Sequence, residues 1–282
     1  MKTSATLVLA AALVAPLMAQ AAPQATPQSA MHKFQAYFRK RFPNVPFKDY
    51  ANGVYAMPAA KNLRAQWKQI MEFPPYTFAL DRGKRLWNTP FKDGNTYASC
   101  FKNGGVGIAT HYPYWDPATR EVRTLVMDIN TCRVRNGAPP YKNVTTGPMA
   151  DIDAYVKHLS YGKPIEIQID SPGAVKAFYA GQQFFWARRG QLNFSCATCH
   201  VWNAGKRLRG NIIGAALGQG VDFPAYRSAW GTLGTLAKRY QGCNKKVGAA
   251  PFKPESVQYR DLEFYQMYMN TGLPESAPSQ RP

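Results

Sequence analysis

The sequence comprises 282 residues, enough for two domains of ordinary size and an N-terminal extension. Its 35 Lys and Arg against 16 Asp and Glu give a formal charge of +19, and the positive residues are spread along the chain rather than concentrated in one tail. Such a surface favours an acidic protein partner or an inorganic anion, although a basic surface that serves only solubility is also compatible with it. After the N-terminal segment, no run approaches the ~20 apolar residues of a transmembrane helix, which excludes a membrane span there.

The N-terminal segment, residues 1–21, has the three parts of a secretory signal peptide. Lys2 is the charged n-region, residues 5–18 form the apolar h-region, and residues 19–21 (Ala-Gln-Ala) are a small-x-small cleavage site. We therefore expect cleavage before Ala22 and export to a bacterial periplasm, where disulfides persist. Export argues against nucleic acid as the partner of the basic surface.

Residues 22–74 are predicted to form an N-terminal extension without evident chemistry. Its Pro/Gln/Ala-rich beginning, residues 22–29, predicts a disordered leader. The apolar spacing in residues 31–40 and 59–71 predicts two short amphipathic helices, and Pro74-Pro75 ends the second. We expect this extension to pack on the remaining chain or on a partner.

The remaining chain contains an internal repeat. When Cys132 is aligned with Cys243, the preceding twenty residues stay in register without a gap, and a proline lies 19 residues before the cysteine in both copies. Similar helix patterns precede the two copies, and amphipathic helices at 152–159 and 262–269 close them. The two copies thus share four separated blocks of similar sequence, and these blocks follow one another in the same order in both.

This repeat predicts a mainly α fold with two tandem domains, residues 75–171 and 172–282. Clear strand patterns are few. Residues 164–170, with isoleucines at alternate positions, are the one candidate strand and lie between the two copies.

The second copy contains Cys196-Ala197-Thr198-Cys199-His200, a Cys-x-x-Cys-His sequence that is the attachment motif of c-type haem. Its two thiols can add to the haem vinyl groups, and the adjoining histidine can serve as proximal iron ligand. Zinc binding or thiol redox chemistry also fits a bare Cys-x-x-Cys pair, but the adjoining histidine and export favour haem. We therefore expect two cytochrome c-like domains, of which only the second carries haem.

The first copy has lost the haem-binding residues. Cys100 aligns with the first cysteine of the motif, but Asn103 and Gly104 stand where its second cysteine and its histidine would be. Cys100 and Cys132 remain in an oxidising compartment, which predicts a disulfide that stabilises the fold by about 3–4 kcal/mol. Two buried free thiols are the alternative.

Cys243 is then the odd one of the five cysteines, and such a cysteine in an exported protein is unneeded, intermolecular or reactive. It lies 43 residues after the motif histidine, in a position from which it can reach the distal face of the haem. Met267 and Met269 are the alternative iron ligands, although their spacing is typical of helix packing. Thiolate ligation by Cys243 would lower the haem potential relative to methionine ligation.

Cations surround Cys243 in the sequence, at Lys238, Arg239, Lys245 and Lys246. Positive neighbours lower a thiol pKa and attract anions. Arg239 would share a helical face with Cys243, and its guanidinium fork suits an oxyanion such as sulfate, sulfite or thiosulfate. The first copy has an aspartate at the corresponding position, which would repel such an anion. A merely solvated run of cations is the alternative.

The sequence resembles the SoxA family, the c-type cytochromes of periplasmic sulfur-oxidising (Sox) systems. The resemblance is carried by the haem motif at 194–200, by Arg239-Tyr-Gln-Gly-Cys243-Asn, by residues 129–133 around the first-copy cysteine and by the closing helix at 261–272. It covers most of the chain after the signal peptide. Some family members carry two haems. Because its first copy lacks the motif, this sequence resembles the single-haem type.

This resemblance implies an L-cysteine S-thiosulfotransferase that joins thiosulfate oxidatively to a cysteine of the carrier protein SoxY, in SoxYZ. It also implies a heterodimer with the haem-bearing subunit SoxX, which would receive the electrons. In the family the residue matching Cys243 is a catalytic persulfide and axial iron ligand, and the one matching Arg239 lies at the substrate site. A periplasmic electron-transfer cytochrome without sulfur-transfer chemistry is the alternative, and a subunit with an inert haem is a third possibility.

Overall fold

The computed structural model describes residues 25–282, so the predicted signal peptide at 1–21 lies outside the described residues. The α-helices of this part of the chain are α1 (Pro27–Arg41), α2 (Lys61–Ile70), α3 (Thr77–Asn88), α4 (Leu125–Arg135), α5 (Pro148–His158), α6 (Pro172–Trp186), α7 (Leu236–Lys246) and α8 (Val257–Met269). Its strands are short: β1 (Tyr114–Asp116), β2 (Glu121–Arg123), β3 (Arg207–Leu208), β4 (Asn211–Ile212), β5 (Ala225–Arg227), β6 (Thr232–Gly234) and β7 (Ser279–Arg281). The predominance of helix agrees with the predicted fold class.

Helix α1 begins inside the segment that the sequence predicts as a disordered leader. The Thr26 side chain accepts a hydrogen bond from the Ser29 backbone nitrogen (3.2 Å), and Pro27 occupies the first helical position, so the helix starts at a favourable cap. The buried face of α1, which includes Phe34 and Phe38, packs into the same core as α6 and α8. Packing therefore orders residues that composition alone would leave unstructured.

The two copies of the repeat are built around the same helix pair. Helix α3 packs on α5 in the first copy, and α6 packs on α8 in the second. A Cβ atom added to Gly83 would overlap the Asp151 carbonyl oxygen, and one added to Gly181 would overlap the Asp261 carbonyl oxygen. Only glycine allows the helix backbones to approach this closely, which explains why both copies have it at this point.

A hairpin and a helix follow in each copy with matching register. Cis prolines at Pro113 and Pro224 precede the antiparallel pairs β1–β2 and β5–β6, and α4 and α7 then begin one residue after Thr124 and Thr235. The second hairpin differs in having β7 paired in parallel with β5. The order of elements supports the internal repeat, while the division into domains at 75–171 and 172–282 stays a prediction.

The candidate strand at 164–170 is wrong as a strand. Its alternation reflects burial, since Ile165 and Ile167 are buried in the core. The segment makes only a single β-bridge, from Pro164 to Pro274. Backbone hydrogen bonds between Ile165 and residues 272–273 hold the segment as an extended connection instead.

Two large apolar clusters form the interior. One lies among α3, α4 and α5 and includes the buried Trp87 and Ile129, and the other joins α1, α6 and α8. The N-terminal extension thus packs on the second copy, as expected for a segment that docks on the remaining chain. None of the helices within residues 25–282 is long and apolar enough to cross a membrane.

Candidate functional site

The predicted haem motif lies at the start of a single wide helical turn, Thr198–Trp202. Ser195 and Thr198 cap this turn reciprocally: the Thr198 backbone nitrogen donates to Ser195 Oγ (2.9 Å), and the Ser195 nitrogen donates to Thr198 Oγ1 (3.0 Å). The cap fixes the backbone that presents Cys196 and Cys199, and both of these thiols are free. Local sequence therefore determines the geometry of the motif.

The imidazole of His200 has two partners at its Nδ1 atom. Its Nδ1 lies 3.0 Å from the Gly214 carbonyl oxygen and 2.6 Å from the side-chain nitrogen of Gln219. Both contacts hold the ring by Nδ1, which leaves Nε2 as the nitrogen available to a ligand. Gln219 continues to Gln266, which accepts a hydrogen bond from the Tyr240 hydroxyl. Sequence reasoning missed Gln219, because it contacts His200 only in the folded chain.

Cys243 lies on α7 facing this histidine. Burial alone would raise the pKa of the Cys243 thiol, but the charge of Arg239, the facing His200 ring and the charge of Lys246 outweigh burial and lower that pKa to about 6. By contrast, burial raises the pKa of Cys196 to about 12 and raises that of Cys199. The structure therefore brings the predicted site residues together and makes Cys243 the most acidic of the three free thiols.

The cation predicted to bind substrate, Arg239, lies one helical turn before Cys243. Within residues 25–282 no side chain or carbonyl forms a hydrogen bond or ion pair with its guanidinium group. The free guanidinium can therefore donate hydrogen bonds to two oxygens of an oxyanion. This guanidinium also lowers the pKa values of Arg227 and Lys246, after burial as the first cause, so these three cations are close together.

The supporting cations differ from those that the sequence suggests. Lys238 is directed to the Trp230 ring, with its ammonium 5.2 Å from the ring centroid, rather than to Cys243. Arg227 comes from β5, a segment distant in sequence, and its guanidinium donates to the Pro282 main-chain oxygen (2.7 Å). Arg227 thus adds positive charge, while Arg239 retains the free fork. The first copy contains a signal that could have identified Arg227, because Asp116 occupies its place there.

The corresponding region of the first copy contains a disulfide. Cys100 and Cys132 are joined, with their Cα atoms 5.8 Å apart, so the alternative of two free thiols is excluded. Asn103 and Gly104, which stand in place of the second cysteine and the histidine, both have positive φ angles and form a turn. The local backbone thus differs from that of the haem motif.

The residues of the second copy fit a c-type haem by the chemistry of their donors. Two free thiols can form thioethers, the free nitrogen of His200 can bind iron, and the Cys243 sulfur faces that histidine. The alternative ligands Met267 and Met269 are each 2 % exposed and belong to the apolar core around α8. Their burial argues for packing rather than ligation.

Comparison with known proteins shows to which family this chain belongs. A family model described as "SoxA/TsdA, cytochrome c domain" matches residues 82–165. A curated relative from Chlorobaculum tepidum, named L-cysteine S-thiosulfotransferase subunit SoxA, is 47 % identical over 88 % of this chain and 85 % of its own length. A relative of the same name from Allochromatium vinosum is 45 % identical over 98 % of this chain and 97 % of its own length. The chain belongs to the SoxA family.

A solved structure supports this membership. The crystal structure of SoxXA from P. pantotrophus contains a chain that is 29 % identical, with a TM-score of 0.68, and the match covers 74 % of this chain and 79 % of that one. The family model matches the copy that lacks the haem motif, which identifies residues 82–165 as cytochrome c-like in sequence. The predictions of an enzyme subunit of the SoxA family and of c-type haem are therefore confirmed.

Proposed function

We propose that this protein is the subunit of an L-cysteine S-thiosulfotransferase that joins thiosulfate to a cysteine of the carrier SoxY, within SoxYZ. One observation carries the proposal: the Cys243 thiol faces His200 and lies beside the free guanidinium of Arg239. A simple electron carrier needs a haem and a docking surface, but it needs neither this thiol nor this fork. The names of the relatives support the same activity.

The proposed reaction is an oxidative conjugation. A bond forms between the sulfane sulfur of thiosulfate and the carrier's cysteine sulfur, the carrier thiol releases one proton, and two electrons leave the two sulfurs. The site has therefore to bind a dianion, hold a reactive sulfur next to it and provide an exit for two electrons.

We assign Cys243, as a persulfide, the transfer of the thiosulfate-derived group. Its terminal sulfur bonds to the sulfane sulfur of thiosulfate as two electrons leave. The carrier thiolate then attacks that sulfane sulfur, takes the sulfane–sulfonate group and releases the Cys243 persulfide. Cys243 thus returns to its persulfide form after each turnover.

Arg239 is assigned to bind the sulfonate, because a guanidinium can donate two parallel hydrogen bonds to an oxyanion. Arg227 and Lys246 add positive charge that concentrates the dianion and offsets negative charge during transfer. Cys196 and Cys199 would hold a covalent haem, His200 and Cys243 would bind its iron, and the haem would supply the electron exit toward SoxX.

The proposed organisation follows the repeat. Residues 172–282 form the haem-binding domain, residues 75–171 form a haem-less domain with the Cys100–Cys132 disulfide, and residues 22–74 form the extension. One haem per chain is proposed, because only the second copy has two free thiols next to a histidine. We place the protein in the periplasm after removal of residues 1–21. The similarity to a chain of the SoxXA crystal structure supports SoxX as the heterodimer partner.

Replacing Cys243 with methionine tests this function. In a purified complex with SoxX and SoxYZ, Cys243→Met should lower the rate of thiosulfate conjugation to the carrier by at least about 1,000-fold, because methionine can ligate iron but forms no persulfide. The carrier's intact mass measures the product, and the haem spectrum shows that the cofactor is still attached. Conjugation near the normal rate would rule out Cys243 as the transferring sulfur and would favour an electron-transfer role for this chain.

Met269→Leu is the matched control. This residue is a candidate iron ligand by sequence alone, and the change conserves side-chain volume in the core. Both the conjugation rate and the haem spectrum should stay at their wild-type values. A changed spectrum in this variant would contradict the assignment of Cys243 as axial ligand.

A further inference from the structure

The C-terminal end of α1 contacts the backbone immediately after the proximal histidine. Arg41 donates hydrogen bonds to the carbonyl oxygens of Val201, Trp202 (3.0 Å) and Ala204 (3.1 Å). Tyr37 also donates to the Val201 carbonyl (3.4 Å) and accepts a hydrogen bond from Arg41 (2.7 Å). These contacts join residues about 160 positions apart in the sequence.

These bonds satisfy carbonyl groups that the helical turn leaves open. The last carbonyls of any helix lack partners within the helix, and here several of them receive a donor from outside it. The Thr198 carbonyl accepts from the Asn203 side chain (2.7 Å), and the His200 carbonyl accepts from the Ala216 nitrogen (2.8 Å). Arg41 donates to the carbonyls that follow these two in the chain. Its positive charge lies at the C-terminal, negative end of the helical turn.

Packing fixes the position from which Arg41 acts. The ring of Phe42 lies against Gly205, where an added Cβ atom would be 3.3 Å from the ring. Nearly two turns earlier on α1, the Gln35 side chain donates to the carbonyls of Met269 (3.2 Å) and Thr271 (2.9 Å) at the end of α8. Helix α1 is thus anchored to two elements of the haem-binding copy, with Phe38 fully buried between them.

We propose that α1 is part of the haem site, with Arg41 as a positioning residue that holds residues 201–204 and thereby sets the orientation of the proximal ligand His200. The proposal rests on haem attachment at the Cys-x-x-Cys-His motif and not on thiosulfate chemistry. Because the Val201 carbonyl is attached to the residue that follows His200, loss of its donors frees the backbone that carries the imidazole. The N-terminal extension, which the sequence leaves without a role, gains one in this way.

Arg41→Gln in the haem-loaded protein, purified with its SoxX partner, tests the proposal. The haem reduction potential should become more negative, because a cation beside the haem site favours the reduced form. The low-temperature electron paramagnetic resonance signal should broaden, because the imidazole is less firmly oriented. Arg41→Lys keeps the charge but lacks the planar fork, so it should retain most of the potential and still broaden the signal.

Arg39→Gln is the matched control on the same helix. It removes the same charge, but the Arg39 guanidinium lies over the Phe47 ring, 4.4 Å from the centroid. It donates to no carbonyl of the motif turn, the helical turn Thr198–Trp202 that contains most of the haem motif. Its potential and resonance signal should match the wild type. Equal shifts in Arg39→Gln and Arg41→Gln, or none in either, would overturn the proposal.

Three outcomes decide separately on the role of Arg41, on the haem assignment and on the proposed activity. If Arg41→Gln does not accumulate as folded protein, Arg41→Lys decides, and a wild-type resonance signal in it overturns the positioning role. Wild-type protein without covalent haem would overturn the haem assignment itself. Failure of carrier conjugation in a haem-loaded wild type with normal spectra would overturn the proposed activity and leave the role of Arg41 intact.

Discussion

Helices α4 and α7 occupy corresponding places in the two copies, and each spans eleven residues that follow a threonine and a two-stranded hairpin. Each carries a cysteine two turns into the helix, Cys132 in one and Cys243 in the other. One turn before that cysteine, Asp128 stands in α4 where Arg239 stands in α7. The backbone is conserved between the copies, while the charge beside the cysteine is reversed.

The surroundings of the two residues differ as much as their charges. Asp128 forms an ion pair with Arg123 (2.6 Å) and accepts hydrogen bonds from the hydroxyls of Tyr112 (2.7 Å) and Tyr114 (3.0 Å). Its charge is therefore fully used inside the fold. Arg239 has no such partners among the described residues, and Gly234 occupies the place that Arg123 holds in the first copy. A paired charge supports structure, whereas an unpaired one beside a free thiol is available to a ligand.

The largest effect expected from a change of charge follows from removing the guanidinium on α7. Arg239→Gln should lower kcat/KM for thiosulfate in carrier conjugation by about 100-fold, because one preorganised donor to a developing or bound oxyanion is typically worth that much. Steady-state conjugation rates at several thiosulfate concentrations measure this, and the haem spectrum should stay unchanged.

Lys238→Gln is the control for charge alone. It removes one positive charge at the adjacent position, but this ammonium is directed to the Trp230 ring. We expect kcat/KM within about threefold of the wild type, the size of a remote, screened charge effect. A loss as large as that of Arg239→Gln would mean that net charge, and not the guanidinium fork, binds the substrate.

The disulfide in the first copy should affect stability and not chemistry. Replacing both Cys100 and Cys132 with serine should lower the free energy of unfolding by about 3–4 kcal/mol, since the bond closes a loop of 32 residues. Urea unfolding followed by circular dichroism measures the change. At temperatures where the variant is folded, the conjugation rate should equal that of the wild type. A matching loss of activity would show that the first copy takes part in the reaction.

A smaller, pH-dependent effect is expected where the two copies meet. Glu275, in the second copy, is 1 % exposed and near Lys157 of the first copy, which donates to the Phe223 carbonyl (2.8 Å). Burial raises the pKa of Glu275 to about 8, although Lys157 opposes the shift. The folded state therefore retains a proton that the unfolded carboxyl releases near its ordinary pKa.

Stability should accordingly fall as the pH rises from about 5 to 8, because over that range the unfolded state binds fewer protons than the folded state. Glu275→Gln should remove roughly 3 kcal/mol of this decline, as measured by urea unfolding at both pH values. Part of the dependence of stability on pH should remain in this variant, since burial also raises the pKa of Glu263 to about 8. The control Glu166→Gln changes an exposed carboxyl and should retain the wild-type slope.

The sequence by itself was enough to predict the features that depend on a local motif or on the alignment of one copy with the other. The spacing of Cys196, Cys199 and His200 is a local property, and the loss of two of these residues at Asn103 and Gly104 follows from aligning one copy with the other. The same alignment singles out Cys243 and Arg239. Each of these inferences needs only residues that are neighbours in the sequence, or the constant spacing between aligned positions of the two copies. The helical periodicity that predicts α5 and α8 is also a local property.

Tertiary structure decided which distant groups meet. Arg227 reaches the Cys243 site from a hairpin, Gln219 contacts the His200 ring, and Arg41 approaches the motif turn from the far end of the chain. No periodicity relates such positions, because chain folding alone sets their distances. Residues 164–170 form an extended connection and not a strand. The alternation of isoleucines predicted which side chains are buried, but it carries no information on whether the backbone pairs with another strand.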